Sequence, residues 1–211
     1  MIRSVQEQAC RSKSVALAVM WAIVPMLGMT HVSTAQERTA AERMQAPGPE
    51  GALLARRAGT WAVTSTVQLA PDAKPIVTKG LTAERTMVGL YLQEVMHPGP
   101  GSAAAEFRRI AYQYYDRVGG RWQYVSMDTR FPVGIMPART FGPEDGHVLR
   151  FEFDDIAFVG LGTEVEGRTL HSNLIVDRQS DTHEIVQQYM IAADGTGRQW
   201  LAVIYDYTRE R

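Results

Sequence analysis

Aromatic and carboxylate side chains at alternate positions are the part of this sequence best suited to binding chemistry. Tyr112 and Tyr114 alternate in one run, and Trp122, Tyr124, Ser126 and Asp128 alternate in the next. Side chains two apart on a strand face the same side. If the two runs form a hairpin, their aromatic sets share one face. Such a face, apolar with a few polar groups, is what a small-molecule pocket needs. Trp61, His171, Tyr189 and Tyr205, on other candidate strands, complete the expected ligand-binding set. The alternative is that the rings fill a barrel, because small barrels are commonly packed by their own side chains.

Other chemistries find little support. The five histidines are His31, His97, His147, His171 and His183, with no His-x-His or His-Glu-x-x-His spacing and no cysteine pair, so no metal site is expected. His171 stands mid-strand and is expected to point inward. There is no Gly-x-Ser-x-Gly elbow, and Gly160-Leu161-Gly162 lacks the third glycine and following helix of a phosphate loop. Asp128, Glu152, Glu184 and Asp206 lie on candidate strands. A carboxylate that faced inward would need Arg or Tyr beside it, and the solvated face is the default for these four. No catalytic residue is assigned and no cofactor is expected. An enzyme working through an inward Tyr/Asp or His group is one alternative function, and a filled barrel acting through protein contacts is another.

The elements that must position these residues are strands. From Trp61 the chain alternates, with Val63, Ser65, Val67 and Leu69 on one face and Thr60, Ala62, Thr64, Thr66 and Gln68 on the other. Gly59 provides a bend at the entry. Further strands are expected over 76–86, 90–96, 106–115, 121–129, 138–141, 147–153, 168–177, 184–192 and 199–208, with turn-forming residues at 116–120, 143–146 and 193–197. Pro49 opens a short helical stretch that runs to Arg57. About ten short strands without long helices between them make the chain all-β, an up-and-down antiparallel barrel with a short N-terminal helix. A two-sheet sandwich is the competing architecture. Two longer loops are expected, at 97–102 and 129–137. The second carries Phe131, Val133, Ile135 and Met136, the composition of a flap over a barrel mouth or of a contact surface. Closure of a barrel makes the first and last strands neighbours, which places Arg209 over the Trp61 ring.

Residues 1–35 read as a signal peptide. Arg3, Arg11 and Lys13 precede an apolar run from Val15 to Met29, and Ser33-Thr34-Ala35 offers small residues for cleavage before Gln36. Residues 36–51 then form a flexible leader and 52–211 the barrel domain. Cys10, the single cysteine, falls in the segment to be removed, which excludes a disulfide framework. The expected location is periplasmic or secreted, with no stable membrane insertion after cleavage. The chain carries 22 basic and 23 acidic residues, a balance with no footprint for nucleic acid.

Leu54 with Ala58-Gly59-Thr60-Trp61, then Gly80, Glu84-Arg85, Gly89, Tyr115-Asp116, Tyr124 through Asp128, Glu184 and the closing Tyr207-Thr208-Arg209 follow one another in an order that resembles bacterial domain-of-unknown-function family 1579. The resemblance covers residues 50–211 and implies a calycin-like barrel, with no activity to inherit. Nitrobindins, a related calycin-like group, bind haem through a histidine that aligns with no position here. The expected function is binding of a small apolar or amphipathic molecule, for which a cavity of about 300 Å3 or more is needed.

Overall fold

The computed structural model describes residues 38–131, 133–142, 144–157 and 167–211. The expected signal peptide, Cys10 and the Gly160-Leu161-Gly162 stretch lie outside the described residues. The strands are β1 (Gly59–Val67), β2 (Ile76–Val88), β3 (Tyr91–Pro98), β4 (Arg109–Asp116), β5 (Arg121–Asp128), β6 (Met136–Arg139), β7 (Val148–Phe153), β8 (Ile156–Ala157), β9 (Thr169–Arg178), β10 (His183–Ala192) and β11 (Trp200–Arg209). Each pairs antiparallel with its neighbours in sequence, except that β7 skips β8 to reach β9. β11 returns to pair with β1. Ten strands therefore close into an up-and-down barrel, and the sandwich alternative falls away. The two-residue β8 was not expected from the sequence. It lies on the start of β9, pairing Ile156 with Leu170.

Closure needs curvature, and two register shifts supply it. One lies between Val63 and Ser65 of β1 against β2, beside Gly80, whose φ of 72° suits a residue without a side chain. The other lies between Gln188 and Tyr189 of β10 against β11. Along each strand alternate residues are buried, so one parity fills the barrel and the other covers its outside.

Two short helices precede β1. α1 (Ala40–Gln45) falls inside the segment expected to be leader. Thr39 and Glu42 form a reciprocal capping box at its start. α2 (Pro49–Ala55) opens on Pro49 and buries Leu54 against the barrel end where β1 begins, contacting β2, β3 and β4. This is the helix end. The opposite end, where β1 finishes and β4 begins, is the open end.

The first and last strands meet as expected. Trp61 pairs with Arg209 and Val67 with Val203. Trp61 is 1% exposed, its indole Nε1 donates to the Arg57 carbonyl at 3.1 Å, and the Arg209 guanidinium lies 5.6 Å from the ring centroid. Arg209 also donates to the carbonyls of Arg56 (2.8 Å) and Ala58, tying the end of the chain to the exit of α2. Gly59 is needed here. Its φ is 131°, and a Cβ would stand 3.1 Å from Arg209 Nη2. We expect Trp61→Ala to cost about 3–5 kcal/mol in urea unfolding, and Arg209→Ala a smaller amount, roughly 0.5–2 kcal/mol for the stacking. Equal losses from both variants would show that the ring is held by something other than burial.

Candidate functional site

The inward parity of the middle strands carries charge. On β2 the inward set is Leu81, Ala83 and Arg85; on β3 it is Leu92, Glu94 and Met96; on β4 it is Arg109, Ala111 and Gln113. β10 contributes Glu184 and β11 contributes Tyr205 and Tyr207. Arg85 donates from Nε to Glu94 (2.8 Å) and from Nη2 to Glu184 (2.9 Å). Arg57, just beyond α2, reaches inward to Glu184 and to Gln113 Oε1, both at 2.5 Å. Arg109 donates to Glu94 (2.6 Å) and to the Tyr124 phenol. Tyr207 donates its hydroxyl to Glu94 at 3.1 Å. The Arg85 guanidinium also lies 4.3 Å from the Tyr207 centroid and 4.7 Å from that of Trp61.

Burial by itself pushes the Glu184 carboxyl up, but the guanidiniums of Arg57, Arg85 and Arg178 overcome this and hold it down at about 2. Glu94 is likewise held below the usual carboxylate range, with burial opposed by Arg85 and Arg109. Both are ionised acceptors. Burial pushes the Tyr124 and Tyr207 phenols up, so they act as neutral hydrogen-bonding groups.

On the open side of this layer lies an apolar cavity of about 50 Å3. Val67, Met136, Phe153, Met190 and Val203 form its wall, Arg109, Tyr124 and Tyr205 its floor, and Phe131 its cover. Asp128 also reaches it, but its carboxylate is taken by Arg130, which donates from the backbone N (2.9 Å), Nε (2.9 Å) and Nη2 (2.6 Å). The Arg130 guanidinium in turn lies 3.8 Å from the Phe107 ring centroid and 5.6 Å from that of Phe131. The loop over the mouth is thus anchored through Asp128. A smaller void of about 30 Å3 lies beyond the floor, beside Arg85, Glu94 and Gln113.

The expected set divides between the two faces. Tyr124, Tyr205 and Asp128 converge on the cavity, while Trp61 and Trp122 are buried toward the helix end. Tyr112 and Tyr114 face outward. Tyr112 pairs with Val125 and Tyr114 with Gln123, whereas Tyr124 pairs with Gln113 and Trp122 with Tyr115. On the outside Tyr112 accepts from Gln93, and Tyr114 packs on Tyr91 at 4.8 Å. Tyr189 shares the outward parity, since its neighbour Met190 is buried. His171 points outward too, with Nδ1 3.0 Å from Asp155 and Nε2 3.7 Å from Glu152. Of the four strand carboxylates, Asp128 and Glu184 are inward and paired, and Glu152 and Asp206 lie on the outer face. Arg57, Arg85, Glu94 and Arg109 were missed as interior groups. Their signal was present: each of the three on strands shares parity with small or apolar neighbours.

Among the described residues no group of three or more His, Cys, Asp or Glu side chains is placed to hold a metal, and no helix is long and apolar enough to cross a membrane. A closed ten-strand barrel with a charged central layer is the class that fold and site define. The crystal structure of Rv2717c from M. tuberculosis is similar, with a TM-score of 0.50 at 13% identity, covering 79% of this chain and 100% of that one. That likeness is one of fold. No protein-family model and no curated protein matches the chain.

The charged layer makes stability depend on acid. As pH falls below about 4.5, the carboxylates of an unfolded chain take up protons while Glu184 stays ionised to about 2. The unfolded state then binds more protons, so the contribution of Glu184, fully present above this window, is lost across it. Glu184→Gln, which leaves Arg57 and Arg85 short of a counter-charge, is expected to cost about 3–5 kcal/mol at neutral pH. It should also flatten the decline of the urea midpoint between about pH 5 and pH 2. An unchanged acid slope in the variant would assign the decline to other carboxylates.

Proposed function

We propose that the chain is an exported, soluble, calycin-like barrel related to family 1579 that binds a small apolar or amphipathic molecule at the open end of its interior. The observation that carries this reading is the open-end cavity itself: a void walled mostly by apolar side chains, Val67, Met136, Phe153, Met190 and Val203 among them, with Arg109, Tyr124 and Tyr205 at its floor. Apolar walls with a few fixed polar groups suit a ligand with one polar end. At about 50 Å3 the void has room for a few water molecules. That is well below the roughly 300 Å3 expected of a ligand site, so the proposed binding needs Phe131, which lines the void, to give way to the ligand. Glu84, Glu152 and Asp206 on the outer wall oppose a lipid-facing band and support a barrel that works in water.

The small void also favours a second reading, a filled barrel that acts through contacts of the same loop, where Ile135 is 66% exposed. Titration with anilinonaphthalene sulfonate separates the two. Ligand binding predicts saturable one-to-one fluorescence enhancement. Phe131→Ala, which opens the mouth, should tighten it, and Val203→Trp, which fills the void, should abolish it. Enhancement that never saturates, or that ignores both substitutions, would reject the cavity as a binding site and leave the contact reading. Export is tested separately. Protein expressed from Met1 in a Gram-negative host should be recovered by osmotic shock with an N-terminus near Gln36, and an intact Met1 in the membrane fraction would overturn it.

A further inference from the structure

The helix end holds a third cavity, of about 150 Å3, bounded by α2 and by the turn between β9 and β10. Arg57 and Arg178 form its inner wall. Arg56, His147 and Asp181, all exposed, stand at its rim. The Arg178 side chain is 8% exposed, yet its Nε, Nη1 and Nη2 have no hydrogen-bond partner among the described residues. The nearest carboxylate, that of Glu184, lies 3.9 Å from Arg178 Nε and already receives Arg57 and Arg85. Arg57, which also lines this cavity, has an Nε without a hydrogen-bond partner among the described residues. Four guanidiniums (Arg57, Arg85, Arg109 and Arg178) thus surround two carboxylates (Glu94 and Glu184) in the barrel, while Asp128 and Arg130 neutralise each other.

A buried guanidinium left without acceptors is costly, and its fork of donors matches a planar or tetrahedral oxyanion. We propose that this cavity binds a small oxyanion, the carboxylate or phosphate group of a compact ligand, held by Arg178 and Arg57. The site lies at the opposite end of the barrel from the apolar cavity and does not depend on a ligand there. Its volume suits an oxyanion on a short chain and is below that of a drug-sized site. Arg56 at the rim attracts such a group, and Asp181 opposes it across water. Burial first, and then Arg57, push the Arg178 guanidinium down to about 8. A bound anion offsets both effects.

The test is isothermal titration of the full-length protein with inorganic phosphate and, in parallel, with propionate, each against chloride at equal ionic strength. One-site binding of either anion is expected. Phosphate alone would mark a phosphate ligand, and propionate a carboxylate. Arg178→Met should weaken binding at least tenfold, the cost of losing charge-assisted hydrogen bonds. Asp181→Asn should tighten it about two- to fivefold by removing the charge at the rim. Absence of binding beyond chloride, or equal binding by wild type and Arg178→Met, would overturn the proposal. If Arg178→Met does not fold, Asp181→Asn decides: tighter binding supports the site, and unchanged affinity rejects it.

Discussion

The position of Arg85 is the constraint on which most of this barrel depends. Its guanidinium joins Glu94 of β3 to Glu184 of β10 and lies over Tyr207 of β11 and Trp61 of β1. Strands far apart in sequence are thereby tied at one point near the closure seam. Arg57 extends the link to the segment after α2 and, through Gln113, to β4. A buried ionic network adds little net stability over a well-packed apolar core. What it does is exclude alternatives. A one-residue slip of β2 would turn Arg85 outward and leave two carboxylates in the interior without it.

That network also explains which strand faces were legible in the sequence. On β1 the apolar parity and the inward parity coincide, so Trp61, Val63 and Val67 could be placed from alternation alone. Arg209 followed from its parity on a strand that must lie beside β1. On β4 the two parities conflict. Ile110, Tyr112 and Tyr114 are the more apolar set, yet they face outward. Arg109 and Gln113 are drawn inside because Glu94 and Arg57 need partners there. Hydrophobic alternation on a single strand does not see a partner on another strand, and so it pointed the tyrosines the wrong way.

The carboxylates show the same limit from the other side. Glu184 and Asp206 both sit among apolar neighbours on adjacent strands, but one is interior and the other binds His183 on the outer face at 2.9 Å. Parity with buried neighbours distinguishes them. Glu184 alternates with Val186, and Asp206 with Ile204 and Thr208, on the opposite face from Tyr205 and Tyr207. His171 belongs with Asp206 for the same reason, since Leu170 and Ser172 occupy the inward positions beside it. The fold could be read from turn spacing and alternation. Which polar groups were interior required the pairing register.

The charged layer divides the barrel into two compartments with different chemistry. At the open end the floor presents Arg109, whose Nη1 and Nη2 already donate to Glu94 and Tyr124, together with the rings of Tyr124 and Tyr205. For the ligand proposed there, selectivity would rest on shape and apolar contact. At the helix end the proposed anion meets Arg178, whose three nitrogens make no hydrogen bond among the described residues. Glu184 is shared among these guanidiniums, its Oε1 held by Arg57 and Arg85 and its Oε2 3.9 Å from Arg178 Nε. An anion held by Arg178 and Arg57 shares Arg57 with Glu184, while Arg85 keeps its own bond to that carboxylate. The two ends are linked by the ion-pair chain from Glu184 through Arg85 and Glu94 to Arg109, a layer that a ligand at either end need not cross.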